Sequence, residues 1–231
     1  MRLYEEILSD ADDHGLMVIF HGCTLPRGWE RMYPNYAGSE AVLASENLIF
    51  SQHACDNEAF NATLHPFIRN AVGCMEFGGV FLNKRLNRGN DGGTTRRTTD
   101  IFQLATAVLF QNPIQNFALA PNNLADAPGV CIDFMKQMPT IWDETRFIDG
   151  YPGRYVVLAR RHGDVWYVAA VNATAEPLKL KLSLPMLPAG DAVSVYLDDK
   201  KLQPQQKEQK IKTDGTLQLT VQPMGGAVIV K

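Results

Sequence analysis

Acidic, basic and aromatic side chains are concentrated in one polar segment near the N-terminus, HGCTLPRGWERMYPNYAGSEAVLASE. It begins at His21, directly after LMVIF, an apolar run that predicts a buried strand over 16–20. Arg31 and the carboxyl groups of Glu40 and Glu46 follow within the segment. Aromatic faces stack on sugar rings, and a carboxylic acid commonly donates the proton in glycosidic cleavage. Because functional residues of parallel α/β folds lie on loops after strands, this segment is a candidate carbohydrate site.

The spacing of Glu40 and Glu46 decides whether the two carboxyl groups can act together. If Ser39 began a helix that ran to Glu46, the side chains would lie about 9 Å apart along its axis and be rotated by roughly 240°. They would then converge only if the segment bends or is partly extended. Two carboxylates are few for a hard cation, which takes about six to eight oxygens, so the spacing alone does not favour a metal site.

The composition argues against several classes of function. The net charge of the 231 residues is −3, which favours no nucleic-acid partner, and no apolar run approaches the ~20 residues of a membrane helix. The N-terminal residues MRLYEEILSDADDHG predict an amphipathic helix and lack the apolar core of a signal peptide. The four cysteines form no CxxC pair, so we expect buried or inert thiols rather than a zinc site.

The hydrophobic pattern predicts two kinds of structure along the chain. Up to about residue 145, helical spacings alternate with apolar runs, which is typical of a parallel α/β sheet or barrel. Beyond that point, short alternating segments separated by turn residues are typical of an antiparallel sandwich. We therefore predict domains at 1–145 and 146–231. Helices are predicted near 1–14, 56–69, 101–109 and 129–138, and strands over 16–20, 71–77, 114–120, 154–172 (a hairpin), 178–184, 192–197, 216–221 and 226–231.

The first domain contains only about three helix–strand units, whereas a (β/α)8 barrel has eight. The pattern is compatible with a small α/β domain or with the second half of a barrel. Glu76, at the end of the second strand, is placed either in a barrel mouth or against loop backbone. Arg96 and Arg97, at the start of a helix, are predicted to have a contact or a surface role, with the surface favoured, and Thr98 or Thr99 is predicted to cap that helix.

The segment that begins at His21 resembles the signature barrel segment of glycoside hydrolase family 97. That signature comprises a strand, His-Gly or His-Glu, a Pro-x-Gly turn, Arg-x-Tyr-Pro-Asn and two spaced glutamates. A second stretch, WDETRFIDGYPGRYVVLARRHGDVWYVAAVN, resembles the passage from the barrel to the C-terminal sandwich of the same family. The resemblance covers essentially the whole chain. It implies a partial (β/α)8 (TIM) barrel over 1–145, followed by a C-terminal antiparallel β-sandwich over 146–231.

The resemblance implies a calcium-dependent exo-α-glycosidase that acts on oligosaccharides with terminal α-linked galactose or glucose. Glu46 matches the catalytic acid or acid/base, Glu40 matches a Ca²⁺ ligand, and Glu46 would also contact the metal. His21 and Arg31 match positions near the sugar. Gly22 occupies the position at which the inverting, α-glucosidase branch has a glutamate base. The chain is therefore similar to the retaining, α-galactosidase-like branch.

The resemblance also implies a role for residues that this chain lacks. The nucleophile of the retaining branch is an aspartate on an earlier barrel strand, which would precede Met1. We therefore expect a fragment that is inactive alone and that associates with the missing N-terminal half of the enzyme. Full-length members are expected to be periplasmic or secreted. Two alternatives stay open: a non-catalytic carbohydrate-binding or interaction module, and α-glucosidase specificity in the parent enzyme.

Overall fold

The computed structural model describes residues 2–231, with helices in the N-terminal part and most strands in the C-terminal part. The helices are α1 (Arg2–Asp13), α2 (Asn47–Phe50), α3 (Gln52–Leu64), α4 (Asp100–Leu109), α5 (Asn123–Asp126) and α6 (Gly129–Gln137), with 3-10 turns at Trp29–Arg31 and Asn70–Val72. The strands are β1 (Val18–Phe20), β2 (Tyr36–Ser39), β3 (Glu144–Tyr151), β4 (Tyr155–His162), β5 (Val165–Asn172), β6 (Leu178–Ser183), β7 (Ala192–Asp198), β8 (Pro204–Lys210), β9 (Thr216–Val221) and β10 (Gly226–Val230). Within the described residues, no helix is long and apolar enough to cross a membrane.

Three parallel chain segments lie side by side in the N-terminal part. β1 pairs in parallel with β2, with Ile19 beside Gly38 and Phe20 beside Ser39. A further parallel bridge joins Ser39 to Met75. Because the segments run in the same direction, the residues that follow them emerge at one edge. The (β/α)8 assignment of this part and the domain boundary at residue 145 stay predictions.

Two predicted strands are not formed. In 71–77 only Met75 makes a bridge, because the Arg69 guanidinium occupies carbonyl oxygens of this segment that a strand partner would otherwise take. The segment 114–120 is irregular, and the side-chain amide of Asn112 donates to its first carbonyl oxygen, that of Ile114. Conversely, the pattern does not predict β2, β3 or β8, which are short or rich in polar residues.

The strands from Glu144 onward are antiparallel and lie in two sheets. The larger sheet has the strand order β3-β4-β5-β10-β7-β8, and β6 pairs with β9 in the smaller one. One apolar cluster contains buried residues from both sheets, as in a β-sandwich. β5 lies inside the larger sheet, and both Trp166 and Tyr167 are buried there.

Helix α4 connects the helical part to the sandwich. Every residue of α4 is buried, and the helix packs on β5 and β10. Thr99 begins it, and its hydroxyl accepts a hydrogen bond from the Phe102 N–H at 3.1 Å, which confirms the predicted cap. The same hydroxyl donates to Asp198 Oδ2 at 2.6 Å, so the cap also ties α4 to the end of β7.

The favoured prediction that Arg96 lies at the surface is wrong. It is buried rather than exposed, because its guanidinium pairs with Asp100 and donates to the carbonyl oxygens of Leu82 and Asn83. Arg97 is half-exposed and pairs with Asp56. Only one of the two arginines therefore lies at the surface.

Candidate active site

Three polar side chains follow the ends of the three parallel segments. His21 follows β1, Glu40 follows β2, and Glu76 follows the bridge residue Met75. His21 Nε2 lies 2.6 Å from Glu76 Oε2, and its Nδ1 lies 3.8 Å from Glu40 Oε2. The imidazole therefore lies between two carboxyl groups that come from different segments.

Glu46 joins this group because the chain bends between residues 41 and 46. Ala41 has a positive φ of 43°, and no helix forms before α2, so Ser39 ends a strand instead of capping a helix. Ligand atoms of His21, Glu40 and Glu46 all lie within 4.8 Å of one another. The bend brings together two glutamates that a straight helix would have separated.

Gly22 orients Glu40 through its backbone. Its N–H donates to Glu40 Oε2 at 2.8 Å. Gly22 has φ 56°, a left-handed conformation that glycine adopts without the steric cost of a side chain. Gly22 therefore supplies no carboxylate to the site and directs its backbone N–H toward Glu40 instead.

The two glutamates differ in their affinity for a proton. Burial and the neighbouring Glu40 raise the pKa of Glu46 to about 7. Burial also acts to raise the pKa of Glu40, but a hydrogen bond from Glu46, the N–H of Gly22 and nearby His21 outweigh it and hold that pKa below its usual value. At neutral pH Glu40 is therefore ionised, while Glu46 still carries a proton in a large fraction of molecules.

Glu76 is buried and is held by side chains. Besides its contact with His21, it accepts a hydrogen bond from Asn116 Nδ2 to Oε1 at 3.2 Å. The sequence places Glu76 either in a barrel mouth or in a hydrogen bond with loop backbone. It does not predict that Asn116 lies at the site. Asn116 carries no motif and lies 40 residues away in the chain, so only the fold brings it to the site.

A cavity of about 540 Å³ opens beside these residues. His21, Glu46 and Glu76 line one part of it, and much of the remaining wall is apolar, with Ile49, Phe81, Leu86, Phe117 and Leu119. Apolar walls with a few convergent polar groups are typical of sites for small organic ligands. Arg31 is exposed, in a 3-10 turn, and is not among the lining residues, so its contact with a sugar stays a prediction.

Glu40 and Glu46 also fit the chemistry of a hard cation. Calcium prefers oxygen ligands, and the histidine beside them is already engaged with Glu76. Burial, together with the neighbouring Glu40, raises the pKa of Glu46, whereas the pKa of Glu40 is lowered. Glu40 is therefore the carboxylate of the pair that is ionised and could hold a cation.

Comparison with models of protein families shows which family the chain belongs to. A family model described as "Glycosyl-hydrolase 97 C-terminal, oligomerisation" matches residues 141–230, and one described as "Glycoside hydrolase 97" matches residues 1–42. The two matches together span more than half of the chain. The chain belongs to glycoside hydrolase family 97. This membership confirms the predicted family and agrees with the antiparallel sandwich at the C-terminal end.

Two curated relatives of this family 97 chain carry similar names. It is 36% identical over 187 residues to the "Probable retaining alpha-galactosidase" of Streptomyces bingchenggensis, and 33% identical over 162 residues to the "Retaining alpha-galactosidase" of Bacteroides thetaiotaomicron. The alignments cover 78% and 68% of the chain, but 27% and 24% of the relatives. The chain therefore spans about a quarter of their length.

A solved structure resembles the family 97 chain over its full length. The crystal structure of a β-arabinopyranosidase superposes with a TM-score of 0.97 and is 73% identical in sequence. The match covers 100% of this chain and 36% of the other. Two different sugars are thus named among the similar proteins.

Proposed function

We propose that this chain supplies Glu46 as the acid/base of a retaining exo-glycosidase. The observation that carries the proposal is the position and proton affinity of Glu46. Its carboxyl group lines the cavity, and burial together with Glu40 raises its pKa to about 7. A carboxylic acid that keeps its proton near neutral pH, beside an ionised partner, is the arrangement that a glycosidic acid requires.

In this mechanism Glu46 first donates its proton to the oxygen of the leaving group, while the nucleophile, a carboxylate outside these residues, bonds to the anomeric carbon as the glycosidic bond breaks. The resulting carboxylate of Glu46 then accepts a proton from the water that hydrolyses the glycosyl–enzyme intermediate. Glu40 stays ionised beside it, and the Gly22 amide fixes the orientation of Glu40. His21 lies against Glu76 at the wall of the cavity, where its imidazole can form a hydrogen bond with a sugar hydroxyl.

A retaining reaction needs a second carboxyl about 5–5.5 Å from the first, as nucleophile. Among the described residues, Glu76 also lines the cavity, but it is engaged by His21 and Asn116. The family resemblance assigns the nucleophile to an aspartate on a barrel strand outside these 231 residues. The chain is therefore proposed to be inactive alone and to act with the N-terminal part of the enzyme.

Calcium is proposed as the cofactor, with Glu40 as its ligand and Glu46 in contact through one oxygen. Glu40 would hold the cation as an ionised carboxylate, and Glu46 would lie beside it. Calcium held in this way would polarise a nearby substrate oxygen. The rest of the coordination shell would come from water, substrate or residues outside this chain.

Two terminal sugars are candidates, α-D-galactose and β-L-arabinopyranose. The names of the curated relatives favour the galactoside, whereas the 73% identity to a β-arabinopyranosidase favours the arabinoside. The two pyranosides share the configuration of every ring hydroxyl and differ by the hydroxymethyl group on C5. We propose that the site recognises this shared ring. A terminal α-glucoside, which differs at C4, is proposed to be a poor substrate.

The test joins the chain to the preceding part of the β-arabinopyranosidase and compares this complete protein with the 231-residue chain. Both are assayed on p-nitrophenyl α-D-galactoside, β-L-arabinopyranoside and α-D-glucoside, in Ca²⁺ and after chelation. We expect the complete protein to hydrolyse one or both of the first two with retention, to lose activity on chelation, and the chain alone to be inactive. Glu40→Gln should raise the Ca²⁺ concentration needed for half-maximal activity.

Hydrolysis of the α-glucoside alone, inversion of configuration, or full activity after chelation would each contradict part of the proposal. Sugar binding without hydrolysis by the complete protein would favour a non-catalytic module instead.

A further inference from the structure

A second cavity lies where the chain after α3 meets the first two strands of the sandwich. Its volume is about 400 Å³. Its wall is largely apolar, with Pro66, Phe67, Ala71, Phe147 and Leu158, and it shares no lining residue with the cavity at Glu46. The polar side chains at its wall are neutral except for one, Arg160 of β4.

Arg160 is a buried cation without a carboxylate partner among the described residues. It is 3% exposed. Its Nη1 donates to Thr145 Oγ1 at 2.8 Å and to Gln111 Oε1 at 3.3 Å, and its Nη2 donates to the carbonyl of Leu109 at 2.8 Å. All of these acceptors are neutral, and Nε has no acceptor in the described part of the chain. A buried charge in this state is costly unless an opposite charge joins it.

The other buried arginines show how this protein usually satisfies such a group. Arg96 pairs with Asp100. Arg69 directs Nε, Nη1 and Nη2 to carbonyl oxygens. Arg160 has neither arrangement: it pairs with no carboxylate, and its Nε donates to no acceptor in the described part of the chain.

Neighbouring titratable groups do not neutralise Arg160. Cys74 influences the pKa of Arg160, but burial raises the pKa of its thiol, which is therefore neutral at pH 7. No aspartate or glutamate lines the cavity. Burial lowers the pKa of Arg160 itself to about 10, so the guanidinium is still charged at neutral pH.

We propose that this cavity binds a small organic carboxylate that has an apolar body. The carboxylate would pair with the Arg160 guanidinium, whose planar donors suit carboxylate oxygens. The body would lie against Phe67 and Phe147, whose rings are in edge contact at 5.8 Å, and against Leu158. Leu158 and Arg160 are two residues apart on one strand, so both side chains face the same side of the sheet.

Binding is tested by titrating the 231-residue chain with phenylacetate and with its neutral analogue phenylacetamide, followed by calorimetry. We expect phenylacetate to bind roughly tenfold or more tightly than the amide, because a hydrogen bond to a charged group adds that much. Arg160→Met should remove this preference. Arg161→Met is the matched control, since Arg161 is paired with Glu144 and lies outside the cavity.

A second variant, Thr145→Asp, places a carboxylate opposite Arg160, its cross-strand partner. Thr145 is exposed, so the fold should tolerate the change. We expect phenylacetate binding to be lost while the midpoint of urea unfolding is unchanged or raised, because the arginine gains an internal counter-ion. Equal binding of the acid and the amide, or binding unaffected in both Arg160→Met and Thr145→Asp, would overturn the proposal. If Thr145→Asp changed the mass of the protein in sedimentation but still bound phenylacetate, the cavity would be a contact between subunits, and the proposal would be overturned.

Discussion

Glu40 and Glu46 function as one pair at the scale of single residues. Glu46 helps to lower the pKa of Glu40, and Glu40 adds to burial in raising the pKa of Glu46, so the proton that the pair holds lies mainly on Glu46. Their identities and spacing can be recognised in the sequence, but their contact depends on the bend at Ala41, which no local pattern indicates. Asn116 shows the same limit, because its contact with Glu76 exists only in the folded chain.

His65 gives the clearest pH prediction for a residue away from the site. It packs against Phe77 and Phe110, and its Nε2 has no partner in the described part of the chain. Burial, with a smaller effect from nearby Arg69, lowers the pKa of His65 to about 4. The unfolded chain, with a histidine pKa of about 6.5, binds a proton that the folded chain does not bind between these values. The free energy of unfolding should therefore fall by about 3 kcal/mol from this residue as pH falls from about 6.5 to about 4.

The measurement is urea unfolding at several pH values between 4 and 7.5 for the wild type, His65→Phe and His65→Leu. Subtracting the curves isolates His65 from other groups that titrate in this range. Both variants should lose the same part of the slope. Parallel curves for wild type and variants would show that His65 does not carry this dependence.

At the scale of elements, long periodic segments were predictable and short ones were not. α4, α6 and the apolar strands of the sandwich follow from their hydrophobic periods. β2 is too short to show a period, and β8 is polar because it lies at the edge of its sheet. The segment after Arg69 has the apolar content of a strand, but side-chain donors occupy its backbone instead. Tertiary contacts therefore override the local pattern there.

The contact of α4 with β10 gives a prediction at this scale. A Cβ at Gly226 would lie 2.5 Å from the Ile101 carbonyl oxygen and 2.7 Å from Phe102 Cα, which are backbone atoms of α4. Gly226→Ala must therefore move the helix and should lower the free energy of unfolding by about 1–3 kcal/mol. Gly129→Ala is the matched control, because a Cβ at Gly129 meets no atom within 4 Å. Equal unfolding midpoints for the two variants would contradict this tight helix–sheet contact.

At the scale of the whole molecule, the chain corresponds to about a quarter to a third of the proteins it resembles. Its family is recognisable from two motifs, and its sandwich from strand periodicity. The carboxylates it brings together form one wall of the proposed active site. The proposed nucleophile is assigned only by the family resemblance, and the two candidate sugars only by the names of similar proteins, because no pattern in these 231 residues indicates either.

The most direct test of Glu46 as proton donor is the leaving-group dependence of Glu46→Gln in the complete protein. Glutamine keeps the shape of the side chain but has no proton to donate. Hydrolysis of an alkyl glycoside of the preferred sugar should fall by about 10²–10⁴-fold, whereas bond cleavage in a 2,4-dinitrophenyl glycoside, whose leaving group needs no proton, should fall far less. Glu30→Gln, an exposed glutamate of the same segment, should change neither rate. Equal losses on both substrates, or unchanged hydrolysis of the alkyl glycoside by Glu46→Gln, would contradict the assignment of Glu46 as the acid/base.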